Sequence, residues 1–587
     1  MIRPLTLTIS FASLLLGSTS LLLLSGCGGG GNASTGGTTA PAGVAVHGTV
    51  TNGQTALKGA SVQLYAAGTS GLQSAAAAQL TTAATTDATG AFSFTMPACA
   101  STNLYLLATG GDSGSGVNSA TQLIAALGPC ASVSSTTAYA VDEATTVAAV
   151  YALAPFLADG THLGASGTTA GLTNAFAMAN LLVNPATGTA PGLQVPANVT
   201  LPTSTLDTLA NILAGCIKSG SSTGSAYSTL LTATSASNTL SAALAIAQQP
   251  AAYTSLYSLA AGFAPFTPAL SVAPADWTLA LKAAPTGLST PFGIAIDSAG
   301  NAYVSSESGS SLLKLAPTGA LSTTISGAGL SGPQGVAIDR SGDVWVASTG
   351  NNSVVELSSS GTVLATVKTG LSAPVAIAVD SAGTAWVANF GGTGVTRISS
   401  AGSVLGTTTG ASAPTALAID PAGTVWVANS GTSTLQHLSN AGATLGTATD
   451  NETLAPFSVA LDGSGNLWFA GSVPGAAAIQ GSVGEIASAS TAAAPILSAA
   501  TPFSVAASGK DVWASNNATS GGLLLYRAGS ASAISPAAGF GSLNAPAGLA
   551  VDGSGNVWTT NSGDNTVSIF LGITTPATTP LAVVAGP

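Results

Sequence analysis

Any chemistry in this chain should come from residue types that recur at fixed offsets. Six aspartates, Asp297, Asp339, Asp380, Asp420, Asp462 and Asp552, each stand six residues before a tryptophan or, for Asp297, before Tyr303. Carboxylates in such a series could act as general acids and bases or as metal ligands. Four amides, Asn389, Asn429, Asn516 and Asn561, stand three residues after a tryptophan, with Glu307 and Asp564 nearby. Amide and carboxylate oxygens suit Ca²⁺ or Mg²⁺, and amides also orient sugars. Three aromatics, Phe292, Phe457 and Phe503, each follow a proline. Apolar rings beside amides would suit a carbohydrate or a peptide. Imidazole is scarce: His47, His162 and His437 are the whole supply, and only His437 shares the repeated region. Each series also has a plain structural reading. Asp and Asn cap turns and tolerate the left-handed region, and phenylalanines around an axis can plug it.

The elements that would position these residues follow from the repeat itself. Trp345, Trp386, Trp426, Trp468, Trp513 and Trp558 recur at intervals of 40 to 45 residues, and Tyr303 holds the same place before the first. Pro291, Pro333, Pro374, Pro414, Pro456, Pro502 and Pro546 open the seven copies. Within one copy, Gly335 to Ile338 reads as a short buried strand and Asp339-Arg340-Ser341-Gly342 as a turn. Asp343 to Ala347, Ser353 to Leu357 and Thr362 to Val367 read as three further strands. Seven four-stranded meanders of this period predict a mainly β chain with a seven-bladed β-propeller over 276–571. The segment around Trp277 supplies the missing fourth strand of the last blade, which closes the ring and removes its edges. Residues 572–587 then form a tail outside it. In such a blade the Pro-led turn and the Asn turn share one face, so the phenylalanines and asparagines are expected together at one mouth of the channel. The aspartates lie on the other face.

The phrase Pro333-Gln334-Gly335-Val336-Ala337-Ile338-Asp339 with Gly342-Asp343-Val344-Trp345-Val346-Ala347 resembles NHL repeats and the streptogramin (virginiamycin B) lyases. Lyase activity in that family implies catalytic histidines and a glutamate on the channel face. The residues after the seven prolines are Phe292, Gln334, Val375, Thr415, Phe457, Phe503 and Ala547, with no histidine among them. No catalytic residue is therefore assigned. A resemblance to gluconolactonase-like propellers would imply a divalent metal, Ca or Mg, in the channel. No resident cofactor is expected otherwise.

The front end resembles a bacterial lipoprotein. An apolar run from Leu5 to Leu24 leads into Leu24-Ser25-Gly26-Cys27. That lipobox implies a signal peptide over 1–26, lipidation of Cys27, and a Gly/Ser/Thr linker over 27–43. Gly28 after the cysteine implies outer-membrane sorting by analogy. Residues 44–110, with Val46-His47-Gly48-Thr49-Val50 and Thr86-Asp87-Ala88-Thr89-Gly90-Ala91-Phe92, resemble a prealbumin-like, carboxypeptidase-regulatory β-sandwich. Residues 118–270 read as four to six short helices, among them Glu143 to Leu153, Leu206 to Ile217 and Leu240 to Ala247. A helical segment followed by this propeller resembles surface NHL-repeat lipoproteins. Of the remaining cysteines, Cys99 and Cys130 are the expected disulfide, leaving Cys216 as a thiol.

Charged residues make up 5% of the chain and the net charge is −11, with ten Lys and Arg. Nucleic acid is excluded as a partner, because phosphate binding needs clustered cations. The sequence thus points to an envelope lipoprotein, with the membrane as partner through its lipid and an envelope polysaccharide or protein as ligand. A lyase-like or lactonase-like enzyme and a purely structural envelope protein are the alternatives.

Overall fold

The computed structural model describes residues 43–579, apart from 98–102, 168, 220–224, 450–454, 473–480, 489–493, 499–500, 528–532 and 536–538. The signal-like run, Cys27, the linker up to Ala42 and Cys99 lie outside the described residues.

The proline-led strands form the inner lining of a ring of sheets. Pro291–Ile296, Pro333–Ile338, Pro374–Val379, Pro414–Ile419, Ala455–Leu461, Pro502–Ser508 and Pro546–Val551 each start an antiparallel meander that runs outward in chain order. Each inner strand touches the next, and Pro546–Val551 touches Pro291–Ile296. Proline fits the first position because it has no N–H to give the ladder there. It pairs with the residue three after the aromatic, as in Pro374 with Asn389, and a bulge follows at once.

The aromatic beat is a packing device. Trp345 lies among Ile377, Val379 and Val387 of the following blade, and Trp386 among Ile419, Val425 and Val427. Trp468 and Trp558 wedge in the same way against the blades that follow them. Each hides ~150–250 Å² of ring, worth roughly 4–6 kcal/mol before entropy.

Closure uses chain from before the first repeat. Ala280–Ala283 pairs antiparallel with Thr566–Phe570, Ala280 opposite Phe570, and completes the last blade. A fifth strand, Val199–Thr200, then pairs with Ala283 and Lys282. It comes from the helical region, so that region is stitched into the ring. The tail crosses the Asp-turn face: Thr574 N–H donates to the Gly555 carbonyl, Ala577 N–H to that of Asp552, and Thr579 Oγ1 to that of Asp297.

The N-terminal β module departs from the expected 44–110. Val44–Asn52 pairs with Ala91–Met96 on one side and, in parallel, with Ala138–Val141 on the other. Its second sheet holds Ser61–Ala66, Asn103–Thr109 and Gln122–Pro129. The module therefore runs on to Val141, and the helical part begins only at Glu143. The reason is non-local pairing, which strand-by-strand patterning cannot register. Among the described residues five α-helices follow: α1 Glu143–Leu153, α2 Ala170–Leu182, α3 Thr203–Ser219, α4 Ala226–Thr234 and α5 Thr239–Gln248. Every residue of α1 is buried, and Asp142 caps it by accepting from Thr145 N–H while Thr145 answers in return. Cys130 is disulfide-bonded, and Cys216 is a buried free thiol in α3.

The helices sit on the Asp-turn face of the last and first blades. Tyr151 hydroxyl donates to the Trp277 carbonyl (2.8 Å), Asn174 Nδ2 to Ala299 (2.8 Å) and Asn198 Nδ2 to Gly319 (2.8 Å). Gly171 lies so close to the Gly553 carbonyl that a side chain there would collide with it. The opposite, Pro-led face carries none of these contacts.

Candidate functional site

On the Pro-led face the ring axis opens into a cavity of about 530 Å³. Its wall is made by the residues just after the prolines, because inner strands show alternate side chains to the axis. Phe292, Phe457 and Phe503 form one side. Phe292 and Phe503 meet edge to face with ring centroids 5.6 Å apart, and Phe457 lies against Phe503 at 6.2 Å. All three are half-buried. They line the cavity rather than plug it. Gln334, Val375 and Thr415 face them, and Phe390, 47% exposed, stands at the rim.

Most of the polar side chains around this mouth hold the ring together. Thr415 Oγ1 donates to the Pro456 carbonyl (2.8 Å) and Thr349 Oγ1 to that of Pro374 (2.6 Å), each reaching the following blade. Ser305 reaches the Gln334 carbonyl at 2.7 Å and Ser515 that of Ala547 at 2.9 Å. Gln334 differs: its amide donates to Glu307 Oε1 (2.9 Å) and its side chain faces the cavity. Below this mouth the channel narrows to about 190 Å³, lined by Ile294, Ile296, Val336, Ile338, Ile377, Val379, Leu417 and Leu549 among others. Among the described residues, no titratable side chain lines either space.

The four asparagines are not at the mouth. Asn389, Asn429, Asn516 and Asn561 are buried within their blades and none lines the cavity. Asn389 Oδ1 accepts from Ser372 N–H (3.1 Å) while its Nδ2 donates to Thr396 (2.9 Å). Asn516 Oδ1 accepts from Thr501 N–H (3.0 Å), and Asn561 Nδ2 donates to Thr566 and Ser568. Among the described residues Asn429 reaches only Thr434, at 3.4 Å, and its buried Oδ1 has no partner. Ser306 and Ser348 occupy the same place and accept from Ser289 N–H (2.8 Å) and Ser331 N–H (2.7 Å). The position thus secures the loop that leads to the proline. Ser or Asn at this position in six of the seven repeats was the available signal, since both side chains cap backbone. Gln334 and Thr415, named from the sequence only as positions without a histidine, also line the cavity, as does Phe390, which the sequence did not mark.

The aspartates cap turns and clamp indoles. Asp339, Asp380, Asp462 and Asp552 each accept from the Nε1–H of the tryptophan six residues on, at 3.3, 3.1, 3.0 and 2.8 Å. His437 belongs to that side of the structure too. It stacks on Trp426 (4.3 Å between centroids) and bonds Thr424, which bonds Asp420. Burial lowers its pKa, with Asp420 acting in the opposite sense.

Residues 278–480 match the virginiamycin B lyase family. The match takes in the closing strand, four blades and the first two strands of a fifth. Similar solved structures include virginiamycin B lyase from Staphylococcus aureus, 16% identical over 50% of this chain and 99% of that one (TM-score 0.42). A streptogramin B lyase is 15% identical over 49% and 95% (TM-score 0.40). Kuenenia stuttgartiensis hydrazine synthase is 16% identical over 48% and 96% (TM-score 0.43). No curated protein matches the chain.

Proposed function

We propose that this is an envelope lipoprotein, anchored through Cys27, whose lyase-like propeller binds a peptide at its phenylalanine-lined mouth. The cavity carries the reading: about 530 Å³ of largely apolar space with three half-buried rings on one side and the Gln334 amide on the other. Wall hydroxyls spent on neighbouring blades leave few groups to orient a sugar. An aromatic or aliphatic peptide side chain suits the rings better, with Gln334 to fix its backbone. Carbohydrate is the weaker form of the same reading.

An elimination at this mouth would need a general base within hydrogen-bond reach of its substrate. Among the described residues the lining offers amide, hydroxyl and hydrocarbon only. Incubation with a streptogramin B should leave that compound intact by mass spectrometry. Its conversion, abolished by Phe503→Ala, would instead favour the lyase reading that the family match suggests.

A further inference from the structure

The turn of the second blade breaks the pattern of its neighbours in one respect. In four other blades the fifth turn residue donates to the turn aspartate: Asn301 to Asp297 (2.8 Å), Thr424 to Asp420 (2.6 Å), Asn466 to Asp462 (3.0 Å) and Asn556 to Asp552 (2.9 Å). The second blade has Asp343 there, an acceptor in place of a donor. The strand residue facing the aromatic is also reversed. Its counterparts are Lys314, Arg397 and His437 in blades one, three and four, whereas the second blade has Glu356 opposite Trp345. The fifth blade also has a glutamate there, Glu485, but its turn keeps the donor Asn466, so only the second blade pairs the glutamate with an aspartate in the turn.

Ligand oxygens of Asp339, Asp343 and Glu356 come within 4.8 Å of one another. Glu356 arrives from a different strand, is 6% exposed, and accepts no hydrogen bond among the described residues. Burial first, then Asp343 and Asp339, push its carboxyl up to about 7. No ion pair among the described residues neutralises the trio. Lys314 of the first blade is turned to Asp297 (3.7 Å) and the Ser359 carbonyl (3.4 Å), and Arg340 in the turn itself is exposed.

We infer that Asp339, Asp343 and Glu356 form a site for a hard divalent cation of the Ca²⁺ class on the Asp-turn face of the second blade. The donors are all oxygen. Glu356 approaches from the buried side, while the Asp343 side leaves room for the waters that complete a shell of six to eight ligands. The cation takes the part that an amide or hydroxyl donor plays in the other turns, and ties the second and third strands of the blade together. Three protein carboxylates and several waters suit an extracytoplasmic affinity, on the order of 10⁻⁴–10⁻³ M.

The test uses Ca²⁺ and Tb³⁺ on the whole mature protein at pH 8. Trp345 donates to Asp339, so its indole lies beside the site and should sensitise Tb³⁺ emission that Ca²⁺ displaces. Ca²⁺ should also raise the Tm saturably. Asp343→Asn should weaken both effects by about tenfold or more. Glu356→Gln should fold without cation and lose the Ca²⁺ response, whereas the distant Asp564→Asn should keep it. A wild-type Tm indifferent to Ca²⁺ and Mg²⁺, or Tb³⁺ emission unchanged in Asp343→Asn, would overturn the site and leave the trio holding a proton only.

Discussion

Thr560 donates its hydroxyl to the carbonyl of Phe292 at 2.9 Å, although 268 residues separate them. The same oxygen accepts from Gly548 N–H at 2.9 Å. One side chain therefore joins the last blade to the first and sets the backbone that carries a cavity phenylalanine. Thr560→Val keeps the shape and removes both bonds. It should cost roughly 1–3 kcal/mol, because a buried N–H and a carbonyl lose their partner. Denaturant midpoints measure this directly. The loss should exceed that of Thr566→Val, whose hydroxyl serves one blade alone.

Gly171 in α2 lies against Gly553 in the last blade, and Ser554 Oγ donates to the Gly171 carbonyl at 2.9 Å. Gly171→Ala improves helix propensity by about 1 kcal/mol yet inserts a methyl where backbone already stands. The clash should dominate, giving a net loss of about 1–3 kcal/mol. Hydrogen exchange should then show the helical region opening before the ring.

The tryptophan ladder has a flaw at Trp513 that predicts a difference. Trp513 has Ala507 where its neighbours have the clamping aspartate, and its buried Nε1 has no partner among the described residues. Trp558 has Asp552 at 2.8 Å. Trp558→Phe should therefore be the more damaging change, by ~1.5–3 kcal/mol, since a buried carboxylate loses its indole donor and keeps only Asn556 and the turn amides. Thermal unfolding of the two single variants reads the gap.

That flaw was legible in the sequence, as were the prolines, the aromatic beat and the Asp turns. All are local signals, repeated seven or nearly seven times. The closing strand near Trp277 was readable for the same reason, because it keeps the spacing of a fourth strand before a proline. What escaped depended on distant partners. Whether Asn389 faces a ligand or its own loop turns on the Ser372 N–H beside it in space. Ala138–Val141 falls within the stretch 118–270 expected to be helical, and it is a strand because Val44–Asn52 lies parallel to it. Phe390 gave no signal, because nothing in its copy marks a rim.

Asp207 in α3 is 2% exposed and accepts no hydrogen bond among the described residues. Burial alone pushes its carboxyl up to about 7 from 3.8. A carboxyl raised in the folded state contributes stability below its unfolded pKa and loses it as pH rises through the folded value. Stability should therefore fall between about pH 4 and pH 7, and Asp207→Asn should flatten that fall and gain roughly 1–3 kcal/mol at pH 8. Urea midpoints across that range test it. A steeper fall in the variant would refute the assignment.

The mouth itself is best tested by selection and titration. A peptide library panned over the immobilised mature protein should enrich sequences with an aromatic or large aliphatic residue. The selected peptide, titrated by calorimetry, should bind the Phe457→Ala/Phe503→Ala double variant at least about thirtyfold more weakly, a loss of about 2 kcal/mol or more. Asn429→Ala, buried behind the wall, should bind as the unaltered protein does. Equal affinity in the double phenylalanine variant, or a loss confined to Asn429→Ala, would place the ligand elsewhere and contradict the account.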